Sequence, residues 1–360
     1  MDTRTAYAEI NLDALHHNVN VVKKFSPHSK IMAVVKSMAY GHGAIEIASS
    51  LKENVDMLAV ARIGEGVNLR KAGIQTPIVI LEGPSCMQDL EIASEMNLQP
   101  TFHDSSQILW INNYKNKPID CWIKFDSGMN RLGFEVKKAE EIYRQFQSKH
   151  SINEIRLMTH LSCADDINDE LTNQQIKLFH SMVKNIEADT SIANSAGILA
   201  WPESHVDWVR PGLMLYGASP IIGKSAKDFD LKPVMTLRAP LIAIKKINKD
   251  ARVGYGGTWI APEEMLIGIV SIGYGDGYPR HINDEGRVLV NDTATSIIGR
   301  VSMDMIAIDL RGVEAQVGDF TTLWGEKIPI DQVAKSANTI PYTLLCNVTT
   351  RIKRKYKSSP

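Results

Sequence analysis

Eight times between residues 30 and 217, a short apolar run rich in β-branched residues is followed by a longer stretch whose apolar residues recur at helical spacing. The runs are KIMAVVK, DMLAVA, TPIVILEG, LQPTFHD, DCWIKFD, IRLMTHL, a weaker TSIANS, and DWVRPGLMLYG. Strands that are apolar on both faces must be covered on both faces, as in parallel sheets flanked by helices. The intervening RIGEGVNLRKAG and NQQIKLFHSMVKNIEA carry apolar residues at helical spacing among charges, and several such stretches end in Gly or Asn. About eight strand-then-helix units in one run predict an α/β fold, a closed (β/α)8 barrel of the TIM type. An open, doubly wound sheet uses the same alternation and stays as the alternative. Ahead of the first strand, Leu12, Leu15, Val19 and Val22 share one side of a helix that Asn11 is placed to cap.

Beyond about residue 230 the texture changes. Strand-like runs VMTLRAPLIAIKKI, MLIGIVSIG, RVLVND, TSIIGRVSMDMIAIDL and DFTTLW follow one another, with little helical periodicity before IDQVAKSA. The chain is therefore read as a barrel over residues 1–232 and a mostly β domain over 233–360, with SPIIGKSAKDFDLK as an exposed linker and RIKRKYKSS as a solvated basic end.

Charge narrows the possible partners. Forty Lys and Arg against forty-one Asp and Glu leave a net charge of −1, so no global field exists to hold nucleic acid or an anionic membrane. A small molecule or another protein chain is expected instead. Cys86, Cys121, Cys163 and Cys346 form no CxxC pair, and neither an export signal nor a run long enough to span a membrane is visible. A soluble, cytoplasmic protein with reduced thiols is expected.

Three motifs fail on inspection. Gly217 to Ser225 has five residues between glycines where a P-loop has four, and it contains Pro220. GYGDGY at 273–278 leads into Pro279 rather than the helix a dinucleotide needs. His160 and Cys163 have metal-like spacing but no second pair, so no metal site is expected.

Where the barrel strands end, chemistry is expected to begin. Lys36, Asp126, His160, Asn194 and Arg210 would face one rim. A lysine after a strand ordinarily snorkels to solvent. At a barrel mouth, desolvation would instead lower its pKa and make the amine a nucleophile towards an aldehyde. The following AYGHG would bring Tyr40 and backbone N–H groups to a nearby anion.

VVKSMAYGHG resembles the lysine segment of the fold-type III pyridoxal-phosphate enzymes, above all the alanine racemases. The likeness continues in order through KFDSGMNRLGF, LMTHLSCADD, ANSAG, WVRPGLMLYG, VGYGGT, VSIGYGDGYPR, GRVSMD and PYTLLC, across both expected domains. The resemblance implies a homodimeric isomerase that interconverts L- and D-alanine with pyridoxal 5'-phosphate, supplying D-alanine for peptidoglycan. By the same resemblance Lys36 carries the cofactor as a Schiff base and acts as base on one face of the substrate. Tyr255, from the partner subunit, is the acid/base on the other face, with His160 in contact with it. Because a tyrosine's ordinary pKa is near 10, a cationic or hydrogen-bonding neighbour must lower it for this work.

Arg210 matches the arginine facing the pyridine nitrogen, where it keeps its own proton and leaves the ring a weaker electron sink. Tyr40, Ser195, the amides of Gly212 and Leu213, and Tyr342 match the phosphate positions, and Asn194 lies among the cofactor contacts. Arg131 matches the residue that meets the cofactor's phenolic oxygen and the substrate carboxylate. Lys124 aligns with a position carbamylated in many members, where the modified lysine orients that arginine. Met303 matches a substrate-carboxylate position, and Tyr274 and Asp304 match entrance positions, all on the partner's β domain. Ser37-Met38 departs from the small, polar pair usual after the lysine, and KRKY lacks the proline common before the last basic group. A serine or broad-range racemase, a decarboxylase of the same fold type, and a non-catalytic carrier of pyridoxal phosphate remain alternatives.

Overall fold

The computed structural model describes residues 5–358; the outermost residues of the two expected domains, 1–4 and 359–360, lie outside the described residues. Strand β1 (Tyr7–Asn11) runs directly into the helix Leu12–Phe25, where Asn11 Oδ1 accepts the Ala14 N–H at 3.1 Å and Leu15, Val19 and Val22 are buried. Parallel strands follow: β2 (Lys30–Val34), β3 (Met57–Val60), β4 (Ile78–Ile80), β5 (Leu98–Phe102) and β6 (Ile119–Asp126). After a two-residue strand β7 (Phe134–Glu135) beside β6 come β8 (Ile152–Met158), β9 (Thr190–Ser191) and β10 (Trp208–Val209). Pairing of β5 with β6 and of β10 with β2 closes eight strands into a barrel and excludes the open sheet.

Helices pack around this barrel through apolar faces spaced as the sequence predicts. In Ala139–Gln147, for example, Ala139, Ile142 and Phe146 are buried, and the Phe146 ring lies 4.9 Å from that of Phe102 on β5. Truncating a fully buried phenylalanine like this one costs about 3–5 kcal/mol.

The second unit begins with the long strand β11 (Met235–Ile247) and a small hairpin of β12 (Arg252–Val253) and β13 (Trp259–Ile260). It continues through β14 (Met265–Val270), β15 (Arg287–Val290), β16 (Thr293–Ile298), β17 (Ile306–Asp309) and β18 (Phe320–Trp324). Antiparallel pairing in the order β11, β14, β17, β16, β15, β18 and back to β11 closes a smaller, six-stranded barrel. A final strand, β19 (Lys353–Lys357), pairs in parallel with β1, which itself pairs antiparallel with β11. The N-terminal strand, counted with the barrel in the sequence division, thus hydrogen-bonds within the β unit.

Three local expectations need correction. RIKRKYK is not a solvated end: Ile352 is buried and Arg354 and Tyr356 lean inward while the alternate lysines point out, the period-two pattern of an edge strand. SPIIGKSAKDFDLK is not a plain exposed linker, because Ile221, Ala226 and Leu231 are buried against the core. TSIIGRVSMDMIAIDL breaks into β16 and β17 around a loop where Gly299 takes φ +67°, with its Cα side pressed to the Val253 carbonyl. The motif PYTLLC, for which the sequence reading assigned no element, lies in a helix, Pro341–Asn347, started by proline at its first turn. No helix among the described residues is long and apolar enough to cross a membrane.

Candidate active site

The β2 strand ends at Val34, and the chain then does something its residues do not advertise. Ser37, Met38, Ala39 and Tyr40 have φ values of 53°, 56°, 52° and 52°, a turn of left-handed helix without a single glycine. Its backbone bonds run four residues back from Ala39 N to Val35 O and from Gly41 N to Ser37 O, both at 3.0 Å, and five back from Gly43 N to Met38 O at 2.8 Å. At roughly 1–2 kcal/mol per residue, such a turn is destabilising by several kcal/mol unless its surroundings hold it.

Those surroundings come from the far end of the chain. A Cβ at Gly41 would lie 2.0 Å from Leu345 O in the helix Pro341–Asn347. Arg354 Nε donates to Gly41 O at 3.0 Å, and Tyr356 Oη donates to His42 O at 2.9 Å. His42 is fully buried with Nδ1 at 2.8 Å from Tyr40 O and 3.0 Å from Ala39 O, and burial pushes its pKa down to about 4. Tyr40 stacks on Tyr216 at 4.7 Å and meets Tyr342 at 5.9 Å.

The turn delivers Lys36 and Tyr40 to one cavity of about 830 Å³ at the C-terminal mouth of the barrel. Lys124, Arg131, His160, Asn194, Ser195, Arg210, Gly212, Leu213 and Tyr342 line the same space. Every barrel position singled out in the sequence is there except Asp126. Its Oδ1 instead accepts the N–H groups of Gly128 (2.9 Å) and Asn130 (3.1 Å), shaping the loop that leads to Arg131.

Four basic side chains, Lys36, Lys124, Arg131 and Arg210, face the cavity against two acids, Glu82 and Asp104. Burial and then Arg131 lower the pKa of Lys36, while Glu65 and Glu82 oppose them. Burial, with help from Arg210 and Arg131, brings Lys124 down to about 8. Complete burial lowers Arg210 only to about 10, so its charge persists at neutral pH. Arg210 is held by Ser191 Oγ at 2.6 Å, Thr159 O at 2.5 Å and Ile192 O at 3.1 Å, all through its terminal nitrogens. His160 turns Nδ1 to Arg210 Nη2 at 3.4 Å, and burial followed by that cation holds its pKa well below the usual imidazole value.

At the opposite wall, Ser195 Oγ accepts the Gly212 N–H at 2.8 Å, and Asn194 Oδ1 caps the following helix through Gly197 N at 2.9 Å. A Cβ at Gly212 would sit 2.6 Å from Tyr40 Oη, so only glycine leaves this cradle open. Burial pushes the Tyr342 phenol up to about 12, which keeps it a neutral donor.

The β-unit candidates form a separate group. Tyr274 N donates to Ser302 O at 3.1 Å and Gly275 N to Met303 O at 2.8 Å, which joins the two loops, and Arg351 Nη2 grips Asp304 Oδ1 at 2.7 Å. The Tyr255 turn abuts the same loop through Gly254 and Gly256 beside Arg300. None of these residues lines the cavity; Tyr255 is 68% exposed and Met303 53%.

With this geometry in hand, comparison with known proteins is decisive. The model of the alanine racemase N-terminal domain matches residues 10–220, and that of the alanine racemase C-terminal domain matches residues 234–356. The chain belongs to the alanine racemase family. Curated alanine racemases from Pasteurella multocida and Coxiella burnetii are 42% and 44% identical, covering 99% and 97% of this chain and 99% and 98% of their own. Among solved structures, the biosynthetic alanine racemase of Pseudomonas aeruginosa aligns with TM-score 0.95 at 38% identity, covering 99% of this chain and all of that one. The alanine racemase of Acinetobacter baumannii gives 0.93 at 37% identity, covering 99% of this chain and 100% of its own.

The residues present fit the pyridoxal phosphate that this family implies. A buried amine of lowered pKa, a cradle of neutral N–H and O–H donors kept open by Gly212, and a fixed guanidinium share one cavity whose cations outnumber its acids. The sequence reading of this alanine racemase family member missed Glu82, His103 and Gln107, which complete the outer wall. His103 Nε2 lies 2.9 Å from Glu82 O and Gln107 Nε2 donates to Pro84 O at 2.9 Å. These contacts join side chains that follow β5 to backbone carbonyls of the loop after β4, and no motif signals them.

Proposed function

We propose that this chain is an alanine racemase that uses pyridoxal 5'-phosphate, works as a homodimer in the cytoplasm, and supplies D-alanine for peptidoglycan. The observation that carries the reading is the convergence of Lys36, Arg210, Ser195, Gly212 and Tyr40 on a single cavity in a family member that matches both domain models. Four free cysteines suit a reducing compartment.

In this reading Lys36 binds the cofactor covalently, and Tyr40, Ser195, Tyr342 and the amides of Gly212 and Leu213 hold its phosphate with Asn194 beside them. When bound, the cofactor supplies an electron-withdrawing ring that acidifies the substrate's Cα–H. Arg210, cationic and anchored by three acceptors, would face that ring as a donor that keeps its own proton. Arg131 and the backbone amide of the partner's Met303 orient the substrate carboxylate. Lys36 Nζ, whose lowered pKa favours the free amine, takes or returns the α-proton on one face. Tyr255 Oη of a second copy takes or returns it on the other. Tyr274 and Asp304 of that copy frame the entrance.

With a pKa near 8, Lys124 offers a substantial free-amine fraction to CO2. Attack of its Nζ on the carbon, with loss of a proton, gives a carbamate anion that pairs with Arg131.

Purified protein incubated with pyridoxal phosphate is expected to show a visible absorption band that borohydride fixes onto Lys36, and to abolish the optical rotation of L-alanine. After equilibration with 13C-bicarbonate it should also show a carbamate carbon that is absent from Lys124→Ala. A colourless protein that leaves L-alanine optically active contradicts the reading as a whole; a missing carbamate signal removes only the modification.

A further inference from the structure

Lys36 sits at the start of the left-handed turn, and the first N–H of that turn, Ser37 N, is taken by a side chain from another unit of the barrel. Glu65 Oε1 accepts it at 2.7 Å. The other oxygen, Oε2, accepts Ala61 N at 2.8 Å and Arg62 N at 3.0 Å, directly after β3. One carboxylate therefore joins the ends of two neighbouring strands, β2 and β3, which pair in register from Met32↔Met57 to Val34↔Ala59.

The carboxylate cannot easily follow the turn if the turn moves. Glu65 is in the first turn of the helix Ile63–Lys71, and the adjacent Gly66 is seated so closely that a Cβ there would lie 2.9 Å from Ile80 Cδ1 and 3.1 Å from Leu98 Cδ1. The far end of the turn is held by Arg354, Tyr356 and the Leu345 carbonyl. Without Glu65 the near end, where Lys36 is, would be held only by the strand.

We propose that Glu65 is a positioning residue for racemisation: its carboxylate clamps the strained turn so that Lys36 and Tyr40 keep a fixed spacing across the cavity. The inference rests on the reading of Lys36 as the cofactor lysine. Glu65 touches no reacting atom; it acts through the Ser37 backbone. It also adds a negative charge near Lys36, and that charge favours the protonated amine.

Two substitutions separate the clamp from the charge. Glu65→Asp keeps the charge and a helix-capping oxygen but is one methylene too short to bridge to Ser37 N. Glu65→Gln keeps the length but has a single acceptor oxygen, and it removes the charge. In the holoenzyme, both should speed amide exchange in residues 36–43 by about 10-fold or more, with the other barrel strands unchanged. Both should lower kcat for alanine by roughly 10- to 100-fold at nearly constant KM, as a small misplacement of a reacting group does. Only Glu65→Gln should move the pH titration of the visible lysine–cofactor band, to lower pH. Parent-like exchange and parent-like kcat in Glu65→Asp overturn the clamp, and if Glu65→Gln fails to fold, the aspartate variant decides alone. A parent protein with no band and no racemisation refutes the functional reading instead, while the exchange comparison still reports whether Glu65 holds the turn.

Discussion

The barrel mouth and the exposed face of the β unit hold the two sets of candidate residues, and they are built in opposite ways. At the mouth, burial displaces the deepest groups, Arg210, His160, Lys124 and Tyr342, from their ordinary pKa values. On the β face, Tyr255, Tyr274 and Met303 stand exposed on loops. A group that must be dehydrated to function is prepared inside its own chain. A group left on the surface has its environment still to be supplied, and under the proposed function a second copy supplies it. Under that proposal, the second acid/base is a residue that does not line the cavity of its own chain.

The comparison breaks most sharply on complementation. Lys36→Ala and Tyr255→Phe should each reduce racemisation by about 10³-fold, the range for losing a positioned acid or base. Co-expressed in equal amounts, the two variants should recover about a quarter of parental activity, because half of the dimers are mixed and each mixed dimer holds one intact site of two. No recovery would put both groups in one chain's site.

A smaller effect is expected at the phosphate cradle. Gly212→Ala drives a methyl to within 2.6 Å of Tyr40 Oη, and the Tyr40 ring, stacked on Tyr216, has little room to yield. Overpacking of this kind costs about 1–3 kcal/mol. It should appear as weaker cofactor retention on dialysis, whereas Tyr274→Ala on the β face should leave retention by the isolated chain unchanged.

The mildest test is acid. His42 is buried neutral, with a folded pKa of about 4 against about 6.5 unfolded, so between these values the unfolded chain binds more protons. Stability from this group is complete above pH 6.5 and falls as pH drops towards 4, by up to about 3 kcal/mol. Denaturant midpoints measured between pH 7 and 4.5 should fall accordingly, and the loss should be smaller in a folded His42 variant that cannot titrate. An equal loss in that variant assigns the effect elsewhere, for example to His160, whose shift has the same sign.

The barrel was legible because burial of parallel strands on both faces forces continuous apolar runs, which mark each strand end and so place Lys36, His160, Asn194 and Arg210 at one rim. The turn after Lys36 was not legible: Ser-Met-Ala-Tyr has no residue that favours positive φ, and its conformation is imposed by contacts with residues 345, 354 and 356, some three hundred positions away. Glu65 was hidden for the same reason. In sequence it is one acid among the charges of an amphipathic helix, and only the pairing of β2 with β3 brings it to Ser37 N. The tail was misread because three lysines in five residues dominate its composition, although composition says nothing about the alternation that Ile352, Arg354 and Tyr356 set up.

That tail bears on how the protein is made. β1 is synthesised long before β19, yet the two lie side by side, and β19 is the source of the bonds to Gly41 and His42. The lysine turn, made before residue 45, cannot be latched until Arg354 and Tyr356 have been made. Until β19 is made and docked, a nascent chain carries Lys36 on a segment that lacks these two bonds, so assembly of the lysine turn waits on a strand some three hundred residues downstream.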